Sequence, residues 1–388
     1  MSIAIRSFSS VSDIPSSVWD SIVAEEELFG RHSFLEIIEK SGVESASYQY
    51  LLFYDRDELV GHAVLSVFTI DLSLFLGKSQ IIGWLKRWFP RLFSYKLLVC
   101  GTPLSAGHRN LFWKDADFVP AIVAQLTQHM EARAKAENLT SAVVKELYDY
   151  HYTDLNQPFA DAGFFFGHSL PTVVVDVQWA SFKAYLADMR ATYRRQIKAS
   201  LAKLGMAEPL LHYGLDIEED DEPRFEVLEA SEIDPEAFFE LYTSIMSRAE
   251  VKLETLNQAF FIGFFAKMGI KVKAIRLWAK GKSQGMVVIA HTNRTLTWIW
   301  AGKDTAKNEE FDNYFNLVAA IVQYAIEHGC TTINLGQTAY YTKQRMGGSA
   351  QPLSLYFRSY KPFKHLLLKS LSSVIFPLNI LPVLKVFK

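Results

Sequence analysis

Leu335-Gly336-Gln337-Thr338-Ala339-Tyr340-Tyr341-Thr342-Lys343-Gln344-Arg345-Met346-Gly347, with Pro352-Leu353-Ser354-Leu355-Tyr356-Phe357 close behind it, is the stretch whose reading decides the fold. Thr331 to Leu335 reads as a buried strand, and Gly336 breaks it. The run after the glycine is rich in hydroxyls and positive charge, and an apolar strand follows. Strand ends of this kind are where α/β proteins place ligand groups.

The same order recurs upstream. Tyr314 to His328 reads as an apolar helix stopped at Gly329. Before it, Val272 to Ala279, Gly285 to His291 and Leu296 to Ala301 read as a strand meander with polar turns at Lys280-Gly281-Lys282 and Asn293-Arg294. The first half repeats this pattern: a hairpin from Tyr48 to Tyr54 and Leu59 to Phe68, an amphipathic helix from Asp117 to Ala136, then a strand from Ser141 to Leu147. Two halves of meander, helix and strand predict mixed α/β layers built twice. Residues 1–168 form the first half, with an insertion at 72–114. Residues 169–360 form the second, and 361–388 a basic amphipathic tail.

Composition agrees with two globular domains. The chain has 388 residues, 49% hydrophobic and 21% charged, which excludes a disordered chain. A net charge of -2 gives no phosphate-tracking excess, so DNA is not an expected partner. The two cysteines, Cys100 and Cys330, lie far apart and outside any metal-ligand spacing, so no metal is expected and a reducing, cytoplasmic setting is. The start of the chain shows no basic head followed by an apolar run, and no uncharged apolar stretch is long enough to span a bilayer.

Three segments resemble the Fem-like, peptidoglycan-biosynthesis-type GNAT acyltransferases of bacteria. The closing motif is Leu335 to Gly347 with Pro352 to Phe357. Tyr193-Arg194-Arg195-Gln196-Ile197-Lys198 is similar to a basic helix of that group, and Phe34 to Gly42 to its early helix. The resemblance implies two tandem GNAT-like domains, each a mixed, largely antiparallel sheet flanked by helices. It implies acyl or aminoacyl transfer to an amine acceptor. The donor it implies is acyl-CoA or acyl carrier protein as co-substrate, or aminoacyl-tRNA on the peptidoglycan-precursor alternative. A sphingoid base is a further acceptor in one branch. A non-catalytic module that binds lipid or peptide is the reading from outside the enzyme class.

The candidate residues follow from chemistry. Acyl transfer passes through an oxyanion, which hydroxyls, ammonium groups and backbone amides stabilise. Lys343 and Tyr340 are placed in that role. Asn334, Gln337, Tyr341 and Arg345 are placed as ligands to donor or acceptor. A general base must take a proton from the amine, and Asp304 is named for it among Asp312, Glu250 and His291. Trp300 lies on the strand before Asp304, which in the Fem-like picture points into the cleft. Ser181 to Leu204 is read as one helix with a basic face, from which Arg194 and Arg195 would clamp phosphate or carboxylate. A solvated face accounts for those arginines equally. Arg345-Met346-Gly347-Gly348-Ser349-Ala350 also fits an acyl-CoA pyrophosphate loop, but a strand, not a helix, should follow it.

Two regions suggest the inner-membrane surface. Between Asp71 and Asp115 there is no acidic residue, while Lys78, Lys86, Arg87, Arg91 and Lys96 stand among Trp84, Trp88, Phe89, Phe93 and Tyr95. The tail repeats this with Lys361, Lys364, His365, Lys369, Lys385 and Lys388. Basic plus aromatic residues without acids suit an interfacial segment. Helical lids packed on the body suit the same residues.

Overall fold

A computed structural model describes residues 3–71, 88, 94–104, 107–214, 222–248, 255–306, 308–378 and 381–388. Most of the basic-aromatic insertion, including Lys78, Trp84, Lys86, Arg87, Phe89, Arg91 and Phe93, lies outside those residues, as does Glu250.

The chain forms two compact units. One comprises Met1–Leu170, Val251–Leu256 and Pro352–Asn379, and the other Pro171–Glu250, Asn257–Gln351 and Ile380–Lys388. The stretch Pro352–Asn379 belongs with the first unit, not with the second half of the chain or a separate tail.

The first unit holds β1 (Ile3–Phe8), β2 (Ser47–Asp55), β3 (Glu58–Asp71), β4 (Ser94–Cys100), β5 (Leu111–Trp113), β6 (Ser141–Tyr148) and β7 (Phe165–His168). The second holds β8 (Thr172–Asp176), β9 (Leu211–Tyr213), β10 (Arg224–Glu229), β11 (Val272–Ala279), β12 (Lys282–Thr292), β13 (Thr295–Lys303), β14 (Thr332–Gly336) and β15 (Ser349–Gln351). β16 (Leu353–Ser359) then joins the first unit's sheet between β6 and β7. The sheet orders are β1-β2-β3-β4-β6-β16-β7, with β5 on β3, and β15-β8-β14-β13-β12-β11-β10-β9.

Both sheets carry the same central device. β4 runs parallel to β6 across helix Val119–Ala136, and β13 parallel to β14 across helix Asn313–Glu327. Parallel neighbours need such a helical crossover, whereas the flanking antiparallel strands need only turns. Each parallel pairing is brief. The first runs from Leu98↔Ala142 to Cys100↔Val144, the second from Thr295↔Thr332 to Thr297↔Asn334. β14 pairs antiparallel with β8 from Thr332↔Asp176 to Gly336↔Val173, so beyond Asn334 only β8 still pairs with it.

The helix read as Ser181 to Leu204 is two helices, Phe182–Asp188 and Ala191–Ala202. The break has a long-range cause. Met189 and Arg190 are extended, Met189 bridges Phe387, and the Arg190 amide donates to the Val386 carbonyl at 2.8 Å. The apolar face was legible: Phe182, Tyr185, Leu186, Met189, Ile197 and Leu201 are all buried in the second unit's core.

Candidate active site

The segment 334–348 leaves β14 and is tied down at every turn. The Asn334 side-chain oxygen accepts from the Gly336 amide at 2.9 Å and from the Thr172 hydroxyl at 2.7 Å. Tyr340 donates its hydroxyl to the Pro171 carbonyl at 3.0 Å. The fully buried Tyr185 donates to the Met346 carbonyl at 2.8 Å. The Gly348 amide returns to the Lys343 carbonyl at 3.0 Å. Within the segment lies a short helix, Tyr340–Arg345, and, as expected, a strand rather than a helix follows Gly347.

Lys343 lies at the centre of these ties and is only 3% exposed. Its Nζ donates to the carbonyls of Gln337 at 2.6 Å and Gly336 at 3.3 Å, and stands 5.8 Å from the Trp298 ring centroid. Burial pushes its pKa down to about 7, because a charged ammonium loses hydration there.

Holding those two carbonyls fixes two amides. In a trans peptide the N–H points opposite to the C=O of the same unit, and the described residues contain no cis bond. The N–H groups of Gln337 and Thr338 therefore point away from Lys343, and that of Thr338 is directed at the Tyr340 hydroxyl. The backbone there is strained: φ is 71° at Gly336, 59° at Thr338 and 49° at Ala339. Glycine tolerates such angles. A β-branched threonine resists them, at about 1–3 kcal/mol. Strain held by buried anchors is a mark of functional loops.

The remaining predicted residues are divided. Arg345 donates to the Gln196 side chain at 3.1 Å and lies 4.3 Å over the ring of Tyr341, which is exposed. Helix Ala191–Ala202 thus meets the segment through Gln196. Arg194 instead donates to the Met189 carbonyl and Arg195 to that of Ala191, each at 3.3 Å.

Trp300 and Asp304 stand apart from Lys343. A β-bulge leaves Ile299 without a partner: Trp298 opposes Ile289, and Trp300 opposes its neighbour Val288. Strand neighbours point to opposite faces, so the bulge turns the two tryptophans away from each other. Trp298 faces Lys343, while Trp300 packs edge-on against Phe260, Phe261 and Phe264. Asp304 lies four residues beyond Trp300, roughly 13 Å further along the strand direction at about 3.3 Å per residue. Its carboxylate accepts from Lys282 at 3.0 Å and from the Ala306 amide at 2.9 Å, so it caps a turn.

Sequence reasoning missed Tyr185 and Trp298 as partners of this segment. Tyr185 read as one more apolar position on a helix. Trp298 carried a signal, a tryptophan on the strand beside the motif, but only the bulge says which of the two faces the loop.

A family model described as peptidoglycan biosynthesis/recognition, FemAB-like, matches residues 10–372. The chain belongs to the FemAB-like family. Among solved structures it is similar to FemX, with a TM-score of 0.57 at 12% identity, covering 93% of this chain and 99% of that one. It is also similar to a tandem GNAT protein from the clavulanic acid biosynthesis pathway, with a TM-score of 0.51 at 9% identity, covering 93% and 99%. These likenesses establish the fold, two GNAT-like sheets in tandem. A curated Mycobacterium tuberculosis (strain CDC 1551 / Oshkosh) protein named as an 8-amino-7-oxononanoate synthase 2 is 22% identical over 343 residues. The match takes in 84% of this chain and 41% of that protein, so the chain spans about two fifths of its relative. Family and fold together support a transferase of acyl or aminoacyl groups. Among the described residues no group of His, Cys, Asp and Glu is placed to hold a metal, and no helix is long and apolar enough to cross a membrane.

Proposed function

We propose that this FemAB-like protein transfers an aminoacyl or acyl group to an amine, with the tetrahedral oxyanion held by the amides of Gln337 and Thr338, the latter exchanging the Tyr340 hydroxyl for the oxyanion. The observation that carries this is the buried Lys343 ammonium fastened to the carbonyls on the reverse side of those same two peptides. Preorganised donors of this kind lower the barrier because they need not reorient as charge develops. Lys343 is then a positioning residue. Its Nζ keeps at least two N–H donors whether charged or neutral, so it holds both carbonyls on either side of its pKa. Tyr340, Asn334 and Tyr185 fix the ends of the loop. The amine attacks the carbonyl carbon, the C–N bond forms as the bond to the donor's oxygen or sulfur breaks, and the proton lost by the amine ends on that departing atom.

One observation favours an aminoacyl ester over acyl-CoA as donor. A CoA diphosphate would be expected at the start of the crossover helix Asn313–Glu327, where free amides attract phosphate. Here that start is Asp312, at φ 50°, whose carboxylate accepts from Ser200 at 2.9 Å with Lys203 4.0 Å away. A carboxylate at this point competes with a diphosphate for the positive end of the helix and for the Lys203 and Lys303 ammonium groups. Acyl carrier protein and acyl-CoA remain the competing donors, and a peptidoglycan precursor or a sphingoid base the competing amines. The test is a label-transfer assay with aminoacyl-tRNA, acyl-CoA and acyl carrier protein against a panel of amines. Transfer from any of these donors supports the reading, with aminoacyl-tRNA expected. Transfer from none, with folded protein, removes it.

A further inference from the structure

Helix Pro362–Ser370 wears its apolar side outward. Residues at i, i+3, i+4 and i+7 share one face of a helix, and that face normally turns to the core. Here Phe363, Leu366 and Leu367 occupy such a face and are 83%, 64% and 50% exposed. Leu371, Val374 and Leu378 extend the exposed apolar run through the short helix Ser372–Ile375 and beyond.

The opposite side is the anchored one. Lys364 donates to the Tyr95 hydroxyl at 2.7 Å and lies 4.0 Å over that ring. The His365 ring accepts from the Ser359 amide at 3.3 Å. Phe376 packs on Phe165 and Phe357, and its carbonyl accepts from the His168 amide. Polar and basic residues face the protein while leucines face out, so the outward side is not an accident of a loose helix.

Charge identifies the occupant. From Lys361 to Lys388 the chain has no Asp or Glu, and Lys361 and Lys369 flank the apolar stripe, both exposed. The carboxylates of the neighbouring elements, Glu131 and Glu137, are paired with Arg358, and with Lys96 and Arg133. Long lysine stems lie along an apolar surface while their ammonium groups reach anionic headgroups. At about 1.5 Å per residue the helix is far too short to cross a bilayer, so it would lie in the plane of the interface.

We propose that this face seats the first unit on an anionic lipid leaflet, with Phe363, Leu366 and Leu367 entering the headgroup boundary and Lys361 and Lys369 meeting lipid phosphates. The experiment is vesicle co-sedimentation, with phosphatidylcholine alone and with added phosphatidylglycerol. The full chain should bind the anionic vesicles about 30-fold or more over the neutral ones. The triple variant Phe363→Ser, Leu366→Ser, Leu367→Ser should lose more than about tenfold of that binding while melting like the parent, because these side chains are exposed. Lys361→Gln with Lys369→Gln should lose about 30-fold on anionic vesicles alone, at about 1 kcal/mol per lysine. The proposal fails if the parent protein stays in the supernatant, or if the triple variant binds as well as the parent. It fails equally if the parent is a dimer that ignores vesicles and the triple variant a monomer, since the face would then join two copies.

Discussion

Replacing Lys343 by Met keeps the length and apolar stem of the side chain and removes its titrating group. In the folded protein burial lowers the Lys343 pKa to about 7, against 10.5 for an ordinary lysine. Between those values the unfolded chain binds more protons than the native one, so stability must rise with pH across that window. Below about pH 7 both states are protonated and the cost of burying the charge is fully present. With these two values the Lys343 contribution grows by about 1 kcal/mol for each pH unit above 7. Lys343→Met lacks this term, although it leaves the Gly336 and Gln337 carbonyls without their donor, at about 1–3 kcal/mol each. Urea unfolding of both proteins at about pH 7, 8 and 9 isolates the term, because other groups cancel in the difference. The stability gap in favour of the parent should widen by about 2 kcal/mol over the series. A gap that stays flat would mean that Nζ is hydrated in solution, and the two carbonyls would then lack the fixed partner on which the site depends.

Other perturbations separate the loop from the residues that stand away from it. A Cβ on Gly348 would collide with Val173 and come within 2.8 Å of the Lys343 carbonyl oxygen, so Gly348→Ala should cost about 1–3 kcal/mol in urea unfolding and lower transfer along with it. Trp300→Ala should destabilise by about 3–5 kcal/mol, since the ring is buried among three phenylalanines, yet the folded fraction should keep its KM. Asp304→Asn keeps the cap on its turn and should leave kcat/KM within about threefold. A loss of about a hundredfold or more would restore Asp304 as a general base.

The parts of the fold legible in the sequence are those set by local pattern. The hairpins β2–β3 and β11–β12 alternate or run apolar between polar turns, and helices Val119–Ala136 and Asn313–Glu327 carry stripes near the helical repeat. The closing motif likewise located the segment around Lys343, because a glycine after a buried strand is a local signal. What stayed hidden depends on distant chain. The break at Met189 and Arg190 is made by residues 386–388, and β16 leaves its own half to join the other sheet. The Trp298/Trp300 reversal needs a bulge that no alternation pattern records. Lys343 was named for its charge, but lysine is usually exposed. Nothing in the sequence foretold that its ammonium would be buried against two carbonyls.

The most direct measurement is amide NMR of the protein titrated with a phosphonate analogue of the tetrahedral intermediate of aminoacyl transfer. The amides of Gln337 and Thr338 should move downfield together and further than other backbone signals, and Lys343→Met should abolish the response. If the analogue binds and shifts other amides while these two stay in place, the oxyanion is held elsewhere and the assignment of this loop is wrong.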